Sequence, residues 1–225
     1  MLTNEAVSSV RPLARRPAHQ SVYEQLRDLI LFGELAPGQA VTIQGLTRDL
    51  GAGMTPVREA IRRMTSNGAL SMQGNRRVIV PELTESCIEQ LEFMRKNLEP
   101  ELAHRAALRI TPAAKDALKA CDDALNKAIA LGDIRGYLTQ NYRFHSGLYA
   151  AADAPILLAT TDRLWLRFGP SLRVVCGRFG TANLPDKHAE LLEALAAGDP
   201  DAAARAVVGD VEQGMRQIRE ALRDI

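Results

Sequence analysis

A chain of 225 residues with 46% apolar side chains can fill two cores of roughly 100 residues each, and none of its apolar runs approaches the ~18 residues that cross a bilayer. Three cysteines, Cys87, Cys121 and Cys176, without any CxxC spacing argue against a thiolate zinc site and a disulfide framework; the polar, arginine-bearing start has no signal-peptide core, so a cytoplasmic protein with core cysteines is expected. The net charge of +1 divides unevenly, ten arginines against seven acids in residues 1–83 and eighteen basic residues against twenty acids in 84–225, which favours a polyanion as partner of the first part.

Residues 1–18 mix Ser, Pro, Ala and Arg without periodicity and read as a flexible arm carrying Arg11, Arg15 and Arg16. From Ser21, the apolar positions Val22, Leu26, Leu29, Ile30 and Leu31 keep helical spacing until Gly33 and the Pro37-Gly38 pair stop the helix. Ile43, Leu46 and Leu50 share one face of a second, short helix that Gly51 ends. In GAGMTPVREAIRRM, residues 51–64, Thr55 is expected as N-cap and Pro56 as the first helical residue. Val57, Ile61 and Met64 then face the core, leaving Arg58, Arg62 and Arg63 around the outer side. Two such helices with a short link form a helix-turn-helix pattern. The extended runs 69–72 and 77–80, around Gln73, Gly74, Asn75 and Arg76, add a hairpin, so residues 19–82 read as a winged helix-turn-helix domain.

Beyond residue 83 strand signals fade. Caps at Thr84, Thr111-Pro112, Asp133, Asp153 with Pro155, Pro185-Asp186 and Asp199-Pro200 delimit six helices, near 84–109, 112–131, 133–151, 154–176, 185–197 and 200–222. The fold expected is mainly α: a winged helix followed, over residues 83–225, by an all-α antiparallel bundle. Pro100 should kink the first bundle helix, and Gly169-Pro170 should bend or break the fourth.

The major groove of B-DNA admits one α-helix, whose N-terminal side chains meet base edges while nearby cations meet phosphates. Residues 53–58 are therefore the expected base readers, with Arg58 suited to a bidentate contact with guanine. Arg62, Arg63, Arg76 and Arg77 are expected to attract phosphates.

Of the four histidines, His19 and His104 stand alone and are expected at structural or surface positions. Asn141 lies one helical turn before His145 in NYRFHSGLY. From His188 the chain runs to a Gly198-Asp199-Pro200 turn and back to Asp210; an antiparallel helix pair rising ~1.5 Å per residue returns Asp210 to the level of His188. If the third bundle helix faces this pair, Asn141, His145, His188 and Asp210 can surround one divalent ion; mixed nitrogen and oxygen ligands suit Zn, Ni, Mn or Fe.

The segments VYEQLRDLILFGELAPGQ and LTRDLGAGMTPVREAIRRMTSNGAL resemble the winged-helix domain of the GntR family of bacterial transcription regulators, over about residues 20–81. That resemblance implies operator contacts from the positions of Gln44, Gly53, Met54 and Arg58, with Thr55 in the same helical turn, and from the wing tip. Gln44 stands where the family usually has arginine, and Gly53-Met54 replace its usual Ser or Thr followed by Arg, so only Arg58 keeps the family chemistry. Gln can read adenine and Met a thymine methyl, which implies a divergent operator.

Residues 84–222 resemble the FCD effector domain of the FadR group, with the six-helix count of its VanR subgroup. In that domain an Asp, a His following a Phe, and two further His often hold a metal; Asn141 and Asp210 here replace an acid and a histidine, which conserves total ligand charge. The resemblance further implies that Arg95, in MRKNLEPELAHRAA, holds a small organic acid together with the metal, whereas an Arg95–Glu99 helix pair is an equal use of that side chain from spacing alone. Trp165, Tyr142 and Phe168 can line the effector cavity or fill the core, and the core is the expectation.

The reading that results is a homodimeric transcription regulator, a repressor by family habit and not an enzyme, binding double-stranded operator DNA and a small carboxylate effector, without membrane contact. Two alternatives stand beside it. One is a DNA-binding dimer with a vestigial effector site. The other is a two-histidine, one-carboxylate metalloenzyme, for which no paired general acid and base, nucleophile or phosphate-cradling loop is present.

Overall fold

A computed structural model of the chain describes residues 18–74, 77–178 and 186–223. The expected arm, apart from its last residue, as well as Arg76 and Pro185, lies outside the described residues.

Helix α1 (Ala18–Leu31) buries Val22, Leu26 and Ile30 against α3 (Met54–Ser66), which contributes Val57, Ile61 and Met64. Between them, α2 (Ile43–Asp49) is capped by Thr42, whose hydroxyl accepts from the Gly45 amide at 3.0 Å. Helix α3 starts earlier than a Thr55 cap predicts: Gly53 is the N-cap and Met54 the first helical residue, so Pro56 stands third. No first-turn N–H has an intrahelical partner, and proline loses no hydrogen bond at the third position either. Arg63 also departs from expectation. Its guanidinium lies 3.9 Å from the centre of the Tyr23 ring, turned toward α1 and not outward, where an aromatic face stabilises the cation.

The expected wing hairpin is present as β2 (Ser71–Met72) and β3 (Val78–Ile79), antiparallel with Met72 opposite Val78. A further strand, β1 (Ala40–Val41), pairs antiparallel on the other side of β3, giving the order β1-β3-β2. Two residues are too few to show a period of two, which is why β1 leaves no mark on the hydrophobic pattern.

The bundle helices are α4 (Glu85–Ala107), α5 (Pro112–Leu131), α6 (Ile134–Ala150), α7 (Pro155–Arg178), α8 (Lys187–Ala197) and α9 (Pro200–Arg223). Thr84, Thr111, Asp133 and Asp186 each cap a helix through a side-chain oxygen. Asp153 does not act as the expected cap: it takes φ 51° in the link before α7, a left-handed conformation that a short polar side chain tolerates. Helix α4 packs along α9, α5 along α6 and α8 along α9, while α7 touches α4, α6 and α9. Gly169-Pro170 does not break α7. There the helix runs against α1, and a Cβ on Gly169 would come 3.4 Å from Leu31 Cδ2, so tertiary packing holds the turn that proline weakens. The cysteines are free thiols and half-buried, less enclosed than core positions. No helix among the described residues is long and apolar enough to cross a membrane.

Helices α6 and α7 join the bundle to the N-terminal elements. Arg135 of α6 pairs with Glu34 at 2.8 Å, Phe32 meets Tyr142 edge-on at 6.2 Å between ring centres, and Gly33, at φ 67°, lies against Arg173. Only a residue without a Cβ fits there comfortably, since a Cβ would stand 2.6 Å from that of Arg173.

Candidate functional site

Three helices converge on one buried cluster. Helix α6 presents Asn141, His145 and Tyr149 at successive turns of its buried face, α8 brings His188, and α9 brings Asp210 from its half-buried side. Phe144 stacks on the His188 ring, with centres 4.0 Å apart and planes 15° apart, and so fixes that imidazole from one side. The two histidine Nε2 atoms are 3.2 Å apart, and Asp210 Oδ2 is 3.4 Å from His145 Nε2. One ligand atom from each of His145, His188 and Asp210 lies within 4.8 Å of the others. Asn141 is buried one turn before His145 on the same face.

The hydrogen-bond partners decide which nitrogens carry protons. His188 Nδ1 is 3.1 Å from Asp122 Oδ1; a carboxylate can only accept, so Nδ1 holds the hydrogen and Nε2 is bare. Tyr149 gives its hydroxyl hydrogen to Glu99 Oε2 at 2.7 Å, so at 3.2 Å it must accept from His145 Nδ1, leaving the second Nε2 bare as well. A proton on either Nε2 would make that ring a cation. Burial, helped by the neighbouring His188, holds His145 well below the usual imidazole range and opposes this at His145. With both rings neutral, two nitrogen lone pairs and a carboxylate oxygen point at one another. Ligands of a tetrahedral ion with bonds of ~2.05 Å stand ~3.3 Å apart, close to the spacings here, and the donor set fits a divalent cation. Asp122 and the Tyr149–Glu99 pair would be the outer partners that fix both imidazole tautomers.

Arg95 and Glu99 of α4 close the adjoining wall. Both are buried, at 3% and 0% exposure, and they pair through two hydrogen bonds, Nε to Oε1 at 2.5 Å and Nη2 to Oε2 at 3.0 Å. Burial pulls the guanidinium down, but the charge and hydrogen bonds of Glu99 keep it above its ordinary value. Arg95 therefore takes the helix-pair role, and only Nη1 faces elsewhere, toward Met215 Sδ at 3.6 Å. Its Cζ lies 3.9 Å from the Phe168 ring centre and 5.3 Å from that of Trp165. Trp165 and Phe168 are core residues as expected, while Tyr142 is half-buried. His104 is half-buried, 3.4 Å from Asp201.

Toward solvent on the N-terminal side, Gln44 occupies the first turn of α2, and Gly53, Met54, Thr55 and Arg58 the start of α3, all exposed. Arg62 is exposed too but forks onto Glu59 at 3.0 and 2.6 Å, which offsets its charge. Arg77 is exposed beside β3.

Asp122 and Tyr149 are the members of the cluster that sequence reasoning missed, while Glu99 was expected beside Arg95 but not against Tyr149. Asp122 carried a signal, since an acid interrupts the apolar stripe Leu118, Leu125 and Ala128 of α5. Glu99 and Tyr149 sit 50 residues apart and their contact has no local trace.

Residues 90–213 match the FCD domain family, and residues 18–80 match the gntR family of bacterial regulatory proteins. The HTH-type transcriptional regulator McbR of Escherichia coli (strain K12) is 30% identical over 184 residues, 80% of this chain and 83% of that protein. The solved structure of E. coli McbR/YncC superposes with a TM-score of 0.85 at 26% identity, covering 92% of this chain and 99% of that one. A probable D-xylose utilization operon transcriptional repressor from Paenarthrobacter nicotinovorans is 26% identical over 202 residues, 88% of this chain and 89% of its own length.

Proposed function

The chain belongs to the GntR family of bacterial regulatory proteins, as a transcription regulator with an FCD domain and not an enzyme, and from that premise we propose a homodimeric repressor released from its operator by a small carboxylate. Residues 19–82 bind one operator half-site. In this reading Gln44, Gly53, Met54, Thr55 and Arg58 face bases, and Arg62, Arg76 and Arg77 meet phosphates. Residues 83–225 dimerise and hold a divalent ion, Zn, Ni, Mn or Fe, through His145, His188 and Asp210, with Asn141 as a weak fourth oxygen donor. The ion supplies a Lewis-acidic point for one effector oxygen. Arg95 adds charge to the wall and, with Nε and Nη2 occupied by Glu99, offers the acid only Nη1.

The observation that carries the sensing half is the convergence of His145 Nε2, His188 Nε2 and Asp210 Oδ2, with 3.2 Å between the nitrogens and 3.4 Å from His145 to the carboxylate. Signalling then needs nothing beyond differential affinity. An acid that binds better to one relative setting of the two winged helices lowers operator affinity by that difference.

The test is a native mass spectrum of protein purified without chelator or histidine tag, paired with retention of its own upstream DNA. One metal per chain, lost in His145→Ala and His188→Ala, with acid-dependent release of the DNA, is the expected result. A metal-free dimer that holds the DNA and ignores added acids would refute the sensing half and assign the chain a vestigial effector site.

A further inference from the structure

Among the described residues, three buried side-chain atoms lack a hydrogen-bond partner: Thr47 Oγ1, Thr161 Oγ1 and Trp165 Nε1. A threonine hydroxyl can turn toward a backbone carbonyl of its own helix. An indole N–H cannot. It is fixed in the ring plane, it donates and never accepts, and its ring is locked here by Tyr142 at 5.6 Å and Phe168 at 4.8 Å between centres. Trp165 is 4% exposed, and the ring against its other side is His145, 5.2 Å away. The sole tryptophan of the chain thus carries an unspent, buried donor on a ring whose centre lies 5.2 Å from that of His145. Thr161, one turn earlier on the same face of α7, is fully buried and unspent too.

Of the neighbouring Arg95, Glu99 takes Nε and Nη2, which leaves Nη1, toward Met215 Sδ, as the donor on that side. Resting on the sensing function above, we propose that the Trp165 indole N–H is the specificity donor of the effector site, holding an acceptor oxygen of the bound carboxylate. Buried polar groups without partners are rare in folded proteins, and a ligand oxygen satisfies this one. The donor-only character sets the discrimination. A carboxylate or keto oxygen is accepted, whereas an amide –NH₂ or ammonium in its place leaves two donors facing each other in a site closed to solvent.

The experiment uses the full-length chain labelled with ¹⁵N, in which one tryptophan yields one indole resonance. Zn(II) is added first, followed by acetate, glycolate, malonate, malate and citrate in turn, with acetamide and malonamide as counterparts. At least one acid should shift the indole proton downfield, and its amide counterpart should not. Trp165→Phe, which keeps an aromatic ring against Phe168 and Tyr142, should weaken that acid roughly ten- to a hundredfold by calorimetry while leaving Zn(II) affinity unchanged. An acid that binds zinc-loaded protein without moving the indole resonance, or binds Trp165→Phe equally well, overturns the assignment of Trp165 and leaves the sensing function standing. Zn(II) and every acid failing to bind overturns both. The resonance is measured in the unmutated protein, so the outcome does not depend on the variant folding.

Discussion

Asp122 is the residue through which the metal reading is most exposed to refutation, because it touches no metal and has no other evident purpose in a buried apolar stripe. It is 7% exposed, and each of its oxygens takes one donor, Oδ1 from His188 Nδ1 at 3.1 Å and Oδ2 from Asn126 Nδ2 at 3.2 Å. In Asp122→Ala, His188 loses the acceptor that keeps its hydrogen on Nδ1, so the ring can move that hydrogen to Nε2 and withdraw a ligand. Loss of such an outer partner costs about 10- to 100-fold in metal affinity, or about 1.4–2.7 kcal/mol. The alanine variant should fall near the upper end. In Asp122→Asn the exposed Asn126 can turn its amide over, so a neutral acceptor still meets His188, and a loss near the lower end is expected. Competition for Zn(II) against a fluorescent chelator measures both, with thermal melting of the metal-free proteins as a check on folding. If folded Asp122→Ala binds Zn(II) as tightly as the wild type, the tautomer argument fails and His188 is no ligand.

Three other perturbations follow from the same structure. Glu99→Gln leaves Arg95 charged and buried without its counter-ion, and should cost about 3–5 kcal/mol in urea unfolding; a loss below about 1 kcal/mol would mean the pair is not formed. Arg58→Ala, at the exposed start of α3, should lower the ratio of specific to non-specific DNA affinity by about 1–3 kcal/mol, and equal losses on both DNAs would make Arg58 a phosphate contact only. Arg77→Ala should weaken binding evenly across sequences and reduce the slope of log affinity against log salt by about one, which a salt titration reads directly.

What could be read from residues alone was what local forces decide. Six bundle helices appear close to their expected bounds because Thr84, Thr111, Asp133 and Asp186 cap through their side chains and the stripes between caps keep a 3.6 period. The structure departs from expectation where tertiary contacts outrank local ones. Pro170 sits in a continuous helix because α1 backs it, and Arg63 turns inward because Tyr23 offers a ring face. The cluster shows the same division. His188 and Asp210 could be placed from helix rise and a turn, and His145 only on the condition that the third bundle helix faces that pair, while Asp122 of α5, which meets His188, and Glu99 of α4, which meets Tyr149, lie across gaps that no spacing rule reaches.

Helix α7 is where the two halves of the function meet. It carries Trp165, against His145, and also Arg167 and Arg173, which lie over Gly68 and Gly33, while Gly169 approaches Leu31. A cleft of about 400 Å³ opens along this seam, lined by Arg27 of α1, Arg63 of α3, Tyr142 of α6 and Asp162 of α7. Close-packed interiors transmit displacements where no space absorbs them, and Trp165 is packed on Tyr142, which in turn meets Phe32 at the end of α1. Under the proposed sensing function, an oxygen that draws the indole toward the ion would shift an α7 already in contact with three N-terminal glycine or leucine positions, and the cleft would leave room for the N-terminal helices to follow. The coupling can be isolated. Phe32→Ala breaks the aromatic contact without touching the cluster, so it should leave metal and acid affinity intact while blunting acid-dependent release from DNA. Full release in Phe32→Ala, measured by operator retention at saturating acid, would exclude this route.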